Sequence, residues 1–156
     1  MTRRKTFKMV EANRTIQGCL EDGARDIESL AKEMQEAADN IGEYQEGIMK
    51  HIAYEDAASA LENANADLRD AFGTIQASED ISEHLDALVH YQYAWPYGKR
   101  PPARHHVLGQ ATAQLTAAAE ELQRLLPKGY EPYKAANDIL TAVDVLTGLQ
   151  FPGMYG

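Results

Sequence analysis

Hydrophobic and small residues in the first third of the chain recur in alternating threes and fours. After Met9 they fall at Ile16, Leu20, Gly23, Ile27, Leu30, Met34, Ala37, Ile41, Tyr44 and Ile48, with Asn13 in the one gap. A period of about 3.5 residues held this long marks a helix that faces another helix, because an unsupercoiled helix drifts about 20° per heptad away from such a stripe. The pattern predicts a coiled-coil-like helix or helical hairpin over 9–48, with Leu20, Ile27, Leu30, Met34 and Ile41 as a seam for self-association. Gly18, Gly23, Gly42 and Gly47 each cost about 1 kcal/mol relative to alanine inside a helix, and Asn40-Ile41-Gly42 is the expected break.

A second seam, Tyr54, Ala57, Leu61, Ala64, Leu68, Ala71 and Ile75, is out of phase with the first, so a bend or hairpin separates them. Its alternation of large residues with alanine lets two helix axes approach closely. Asp80, three residues before Glu83, reads as a capping box opening a third helix with Ile81, Leu85, Leu88 and Val89 on one face. Residues 95–102 hold Pro96, Gly98, Pro101 and Pro102 and predict an irregular loop. A fourth helix follows, with Pro102 in its first turn and the seam Leu108, Ala111, Leu115, Ala118, Leu122 and Leu125. The fifth starts near Glu131-Pro132 and buries Ala136, Ile139, Leu140, Val143 and Leu146. No stretch is read as the apolar–polar alternation of a half-buried strand. The expected class is all-α, an elongated helical bundle of about five helices. One domain over 9–149 lies between a basic arm, 1–8, and an apolar tail, 150–156.

Charge changes this picture in one respect. The chain has 156 residues, with 24 acidic side chains against 15 basic ones, a formal charge of −9 and a pI near 5.0. Such a surface repels phosphate backbones and anionic lipid. The charge is also uneven: residues 9–95 carry nineteen acids and five bases, whereas Arg3, Arg4, Lys5 and Lys8 lie before them and Lys99, Arg100 and Arg104 after. Nucleic-acid binding is not expected except through the basic arm, and the asymmetry favours a charged protein partner or a second copy. Cys19 has no second cysteine to pair with. No apolar stretch reaches the roughly 18 residues of a membrane span, and no apolar segment follows the charged start as in a secretory signal. The expected compartment is the cytoplasm, or a virion for a phage-type component.

Candidate chemistry is sparse. No histidine follows a glutamate by three residues, the pairing that helical di-iron sites use. The pairs Asp80–His84, Asp86–His90 and His51–Glu55 are spaced to meet on a helix face, as an ion site or a surface hydrogen bond would need. Glu33 with Glu36, and Asp67 with Asp70, outline the carboxylate spacing of Mg²⁺-dependent helical nucleotide pyrophosphohydrolases, although Glu36 with Asp39 fits as well. Arg100 and His105 have the Arg-x4-His spacing of certain helical ribonucleases, but two prolines lie between them. No catalytic residue, metal ligand or cofactor is assigned.

The most individual segment mixes aromatics with cations: Tyr91, Tyr93, Trp95, Tyr97, Lys99, Arg100 and Arg104. These are the residue types that carry interface energy. With Phe151 and Tyr155 of the tail, they are the candidate partner-binding residues. The expectation is a non-enzymatic helical subunit or adaptor in a larger assembly, such as a virion component. It would bind protein partners or copies of itself. Its rivals are an acidic mimic of nucleic acid that blocks a nuclease or DNA-binding protein, and Mg²⁺-dependent nucleotide hydrolysis by Glu33, Glu36, Asp67 and Asp70.

Overall fold

The computed structural model describes residues 7–41 and 47–152. The chain is mostly helical but carries a two-stranded antiparallel sheet. In order, the elements are β1 (Phe7–Thr15), α1 (Ile16–Ile41), α2 (Ile48–Ala77), the short α3 (Ser82–Leu85), β2 (Leu88–Pro96), α4 (Arg104–Leu125) and α5 (Glu131–Thr147). Helix α1 packs against α2 and α4, α5 packs against the same two helices, and β2 lies on α4.

The helical seams do what their period demands. Ile27, Leu30 and Met34 of α1, Leu61, Leu68 and Ile75 of α2, Leu115 and Leu122 of α4, and Ile139 and Leu146 of α5 are all buried in one apolar cluster. The described part of α1 runs to Ile41, and Gly42 of the expected break lies outside the described residues. The junction of α1 with α4 depends on one glycine. A Cβ on Gly23 would lie 2.7 Å from Leu115 Cγ and 3.2 Å from the Ala111 carbonyl oxygen, so only hydrogen at this position lets the two helices meet so closely. Gly73 opposes nothing within 4 Å, and α2 runs through it to Ala77.

Three expectations are corrected. Met9 and Asn13 belong to β1, not to the start of a helix, and the helical seam begins only at Ile16. The expected third helix is four residues long. Asp80 does not cap it, because Asp80 sits at φ 63, a left-handed conformation that aspartate tolerates in turns but that an N-cap does not adopt. Beyond Leu85 the chain becomes strand β2 rather than helix.

The third correction concerns the seam assigned to self-association. Leu20, Ile27, Leu30 and Met34 are between 0% and 4% exposed within a single chain, and Ile41 is partly buried against the same core. They meet other helices of their own chain, so this row has no free surface to offer a second copy.

The register of the sheet is unbroken. Phe7 pairs with Pro96, and the pairing continues residue by residue to Thr15 with Leu88. At the base of the ribbon, the Ile16 N–H donates to the Ala87 carbonyl at 2.9 Å, and the Gly18 N–H donates to Thr15 Oγ1 at 3.0 Å. These bonds satisfy donors that the first turn of α1 would otherwise leave open. The Arg14 guanidinium pairs with the Asp22 carboxylate across the same reversal.

Candidate functional site

Alternation along β2 sorts its side chains between two faces. Val89 and Tyr91 are buried, Tyr93 and Trp95 are half-buried, and Leu88, His90 and Gln92 are exposed. Rings of Tyr91 and Tyr93 stack at 5.9 Å between centroids, and Trp95 meets Tyr93 edge-on at 5.5 Å. Tyr91 anchors this row: its hydroxyl accepts a hydrogen bond from Gln114 Nε2 at 3.1 Å, and burial pushes the phenol above its ordinary pKa. Gln114 is 1% exposed, and its Oε1 has no hydrogen-bond partner among the described residues.

Strand β1 is held differently. It pairs along its full length with β2 but touches α1 only slightly. Phe7 is 40% exposed and Met9 54%, and they lie on the same face of the ribbon as Leu88, which is 69% exposed. A two-stranded sheet has two outer edges. Among the described residues, neither edge receives a hydrogen bond from a third segment. Each edge therefore presents alternating N–H and C=O groups, nine residues long and without a bulge, in the form that accepts another strand.

The two edges face different surroundings. A concave groove of about 370 Å³ runs between β2, α4 and α5. His90, Tyr91 and Gln92 border it on the strand side. Gly109, Thr112, Ala113, Thr116, Ala117 and Glu120 of α4 form its floor, and Val143 and Thr147 of α5 form its far wall. The small floor residues lie on the opposite side of α4 from the buried Leu108–Leu115–Leu122 row. Small side chains there let a segment approach the helix backbone. Sequence reasoning missed this surface because it followed only the apolar seam of α4.

The candidate partner-binding residues do not form one patch. Tyr91 and Phe151 are core residues, 6% and 7% exposed. Arg104 is held inside the chain: its Nε donates to Glu33 at 2.7 Å, and its guanidinium lies 5.7 Å from the Tyr54 ring centroid. Within one chain all three are engaged in the protein's own packing, although Tyr91 also borders the groove beside β2. Tyr97, Lys99 and Arg100 remain exposed in the turn after β2, where Gly98 adopts φ 66, and neither cation has an ion-pair partner among the described residues. Tyr155, like arm residues 1–6, lies outside the described residues.

The other candidate chemistry is dispersed. Glu33 is tied to Arg104 at the start of α4, whereas Asp67 and Asp70 open with Asp138 onto a separate groove between α2 and α5. The two carboxylate pairs do not converge on one ion. His51 Nδ1 lies 2.7 Å from the Ala38 carbonyl oxygen and Nε2 faces Glu55, so this pair ties α2 to the end of α1. Burial pushes the Cys19 thiol up to about 11, with Arg14 opposing, which leaves it without thiolate at neutral pH. Among the described residues, no group of three or more histidine, cysteine or carboxylate side chains is arranged to hold a metal ion. No helix there is long and apolar enough to cross a membrane.

No family model, curated protein or solved structure matches this chain.

Proposed function

We propose that the chain is a non-enzymatic subunit or adaptor of a protein assembly, a virion-type component being one such setting. Its partner-binding element is the β1–β2 ribbon rather than a helical seam. The observation that supports this reading is the pair of unpaired nine-residue strand edges, one beside a groove and the other flanked by exposed Phe7 and Met9. A long edge without a bulge is a liability that soluble proteins ordinarily blunt, and it becomes an asset where another strand is meant to add; proline enters the described ribbon only at its last position, Pro96. The helical surfaces offer less: their backbone is satisfied internally and their seams are spent on the core.

The test is site-directed photocrosslinking in the cell that makes the protein. A photoreactive residue at Gln92 on β2, or at Met9 on β1, is expected to give discrete protein adducts. The same residue at exposed Ser59 on α2 is the control. Adducts at Ser59 with none at either ribbon position would refute the ribbon as the binding element.

A further inference from the structure

The groove beside β2 differs from the open edge of β1 in having walls, and its walls restrict what can enter. It is long and shallow, it borders main-chain groups of a strand edge, and its floor of Gly109, Ala113 and Ala117 leaves room for a backbone rather than a bulky side chain. These are the requirements of an extended segment adding to the sheet. Its charge is also one-sided. Among the described residues Glu120 is the one carboxylate in the lining, no lysine or arginine is there, His90 lies on the strand side, and Glu120 has no ion-pair partner. The fitting occupant is extended and basic.

We propose that this groove takes residues 1–6 of a second copy of the chain, Met-Thr-Arg-Arg-Lys-Thr, as an added strand on β2, with Arg3, Arg4 or Lys5 against Glu120. This rests on the assembly reading above and names its partner. Residues 1–6 lead directly into β1, and they carry three cations on a chain whose net charge is −9.

Length decides between the same copy and another. Phe7 pairs with Pro96, six residues beyond His90 along β2, a distance of about 20 Å at 3.3 Å per residue. Six extended residues reach about the same distance. To fill its own groove the arm would first cross to the far side of β2, about 10 Å away at two strand spacings, then reverse and run back. Residues 1–6, tethered at Phe7, would not get back to His90 to pair there. In a second copy no such detour is needed. The resulting contact joins two different surfaces, so it closes as a two-fold dimer where two copies exchange arms and grows into a ring or a filament where they do not.

Sedimentation equilibrium on the full chain tests this, together with amide hydrogen exchange read at His90–Ala94. The wild type is expected to associate reversibly, more weakly at high salt, with amides of β2 gaining protection as mass rises. Reversing the arm, Arg3→Glu/Arg4→Glu/Lys5→Glu, or the groove, Glu120→Arg, is expected to weaken association by about tenfold or more. Carrying both reversals in one chain should restore it, which a merely misfolded variant would not do. Ala113→Tyr, which fills the floor, should abolish association without altering the arm.

Association that is indifferent to all of these changes would overturn the inference while leaving assembly through another surface standing. A wild type that stays monomeric up to about 1 mM would overturn it too. In that case crosslinks at Gln92 would show that a foreign strand is the occupant, and their absence from both ribbon positions would remove the assembly reading as well.

Discussion

Gly23→Ala separates tight helix packing from helix propensity, because the two effects have opposite signs. Inside a helix, alanine gains about 1 kcal/mol over glycine. At position 23 the new methyl would sit 2.7 Å from Leu115 Cγ, 2.9 Å from its Cδ2 and 3.2 Å from the Ala111 carbonyl oxygen. Carbon atoms rest about 3.5–4.0 Å apart, so the overlap is about 1 Å. Leu115 is 0% exposed, and the Ala111 oxygen belongs to the backbone. Helices α1 and α4 must therefore separate.

Overpacking of this kind costs about 2–3 kcal/mol, which leaves a net loss of about 1–2 kcal/mol after the propensity gain. For a chain of this size that lowers Tm by about 3–6 °C, measured by far-ultraviolet circular dichroism. Gly73→Ala is the control: nothing lies within 4 Å of its new methyl, and a gain of about 0.5–1 kcal/mol is expected. Leu115→Ala in the Gly23→Ala background should cost less than the sum of the single changes, since it removes the clashing atoms. A Gly23→Ala protein as stable as Gly73→Ala would refute the close α1–α4 approach.

Tyr91→Phe should destabilise by about 1–3 kcal/mol, because Gln114 would then be buried with both ends of its amide unpartnered; Tyr91→Phe/Gln114→Leu should recover most of that loss in urea unfolding. His106 gives a pH dependence of defined sign. Burial first, and then the charge of His105, hold its pKa below the ordinary 6.5, and its Nδ1 accepts the Ala103 N–H at 3.2 Å. Its contribution is therefore intact above about pH 6.5 and is lost as pH falls through the lowered folded value, so His106→Gln, which keeps an acceptor but does not titrate, should show a shallower acid loss of Tm than the wild type. Cys19 is 0% exposed with a thiol pushed up to about 11, so a thiol reagent at neutral pH should label it only as fast as the chain unfolds; labelling at the rate of a free thiol would contradict its burial.

The helices were legible because each buries one continuous stripe, and a stripe leaves its period in the sequence. Leu61-x6-Leu68-x6-Ile75 and Leu108-x6-Leu115-x6-Leu122 need no tertiary information to be read. The ribbon was not legible, for two separate reasons. In β1 the inward positions are Lys8, Val10, Ala12 and Arg14, so only two apolar side chains mark the alternation, and Met9 lies seven residues before Ile16 and so extends a heptad by coincidence. In β2 the alternation Val89, Tyr91, Tyr93, Trp95 is real, but Leu85, Leu88 and Val89 also satisfy a helical spacing. The decisive signal was the β-propensity of three aromatics and a valine in the nine residues of β2. The candidate site was visible only as an aromatic and basic composition. Its groove is set by which side of α4 faces β2 and α5, and that is a tertiary fact.

That same tertiary fact bears on the proposed association. Two acidic helical bodies repel each other, and a helix can offer a partner only its side chains, because its N–H and C=O groups are already paired along its axis. A strand edge keeps half of its main-chain groups open, and each hydrogen bond made there contributes about 0.5–1.5 kcal/mol net. Three or four such bonds along β2, with one charge-assisted contact at Glu120, match what weak, reversible subunit contacts require without any large apolar patch. Under the proposed arm-to-groove contact the acidic helices would act by exclusion: they disfavour lateral packing of the bodies and leave the ribbon and the oppositely charged arm as the surfaces on which that contact is tested.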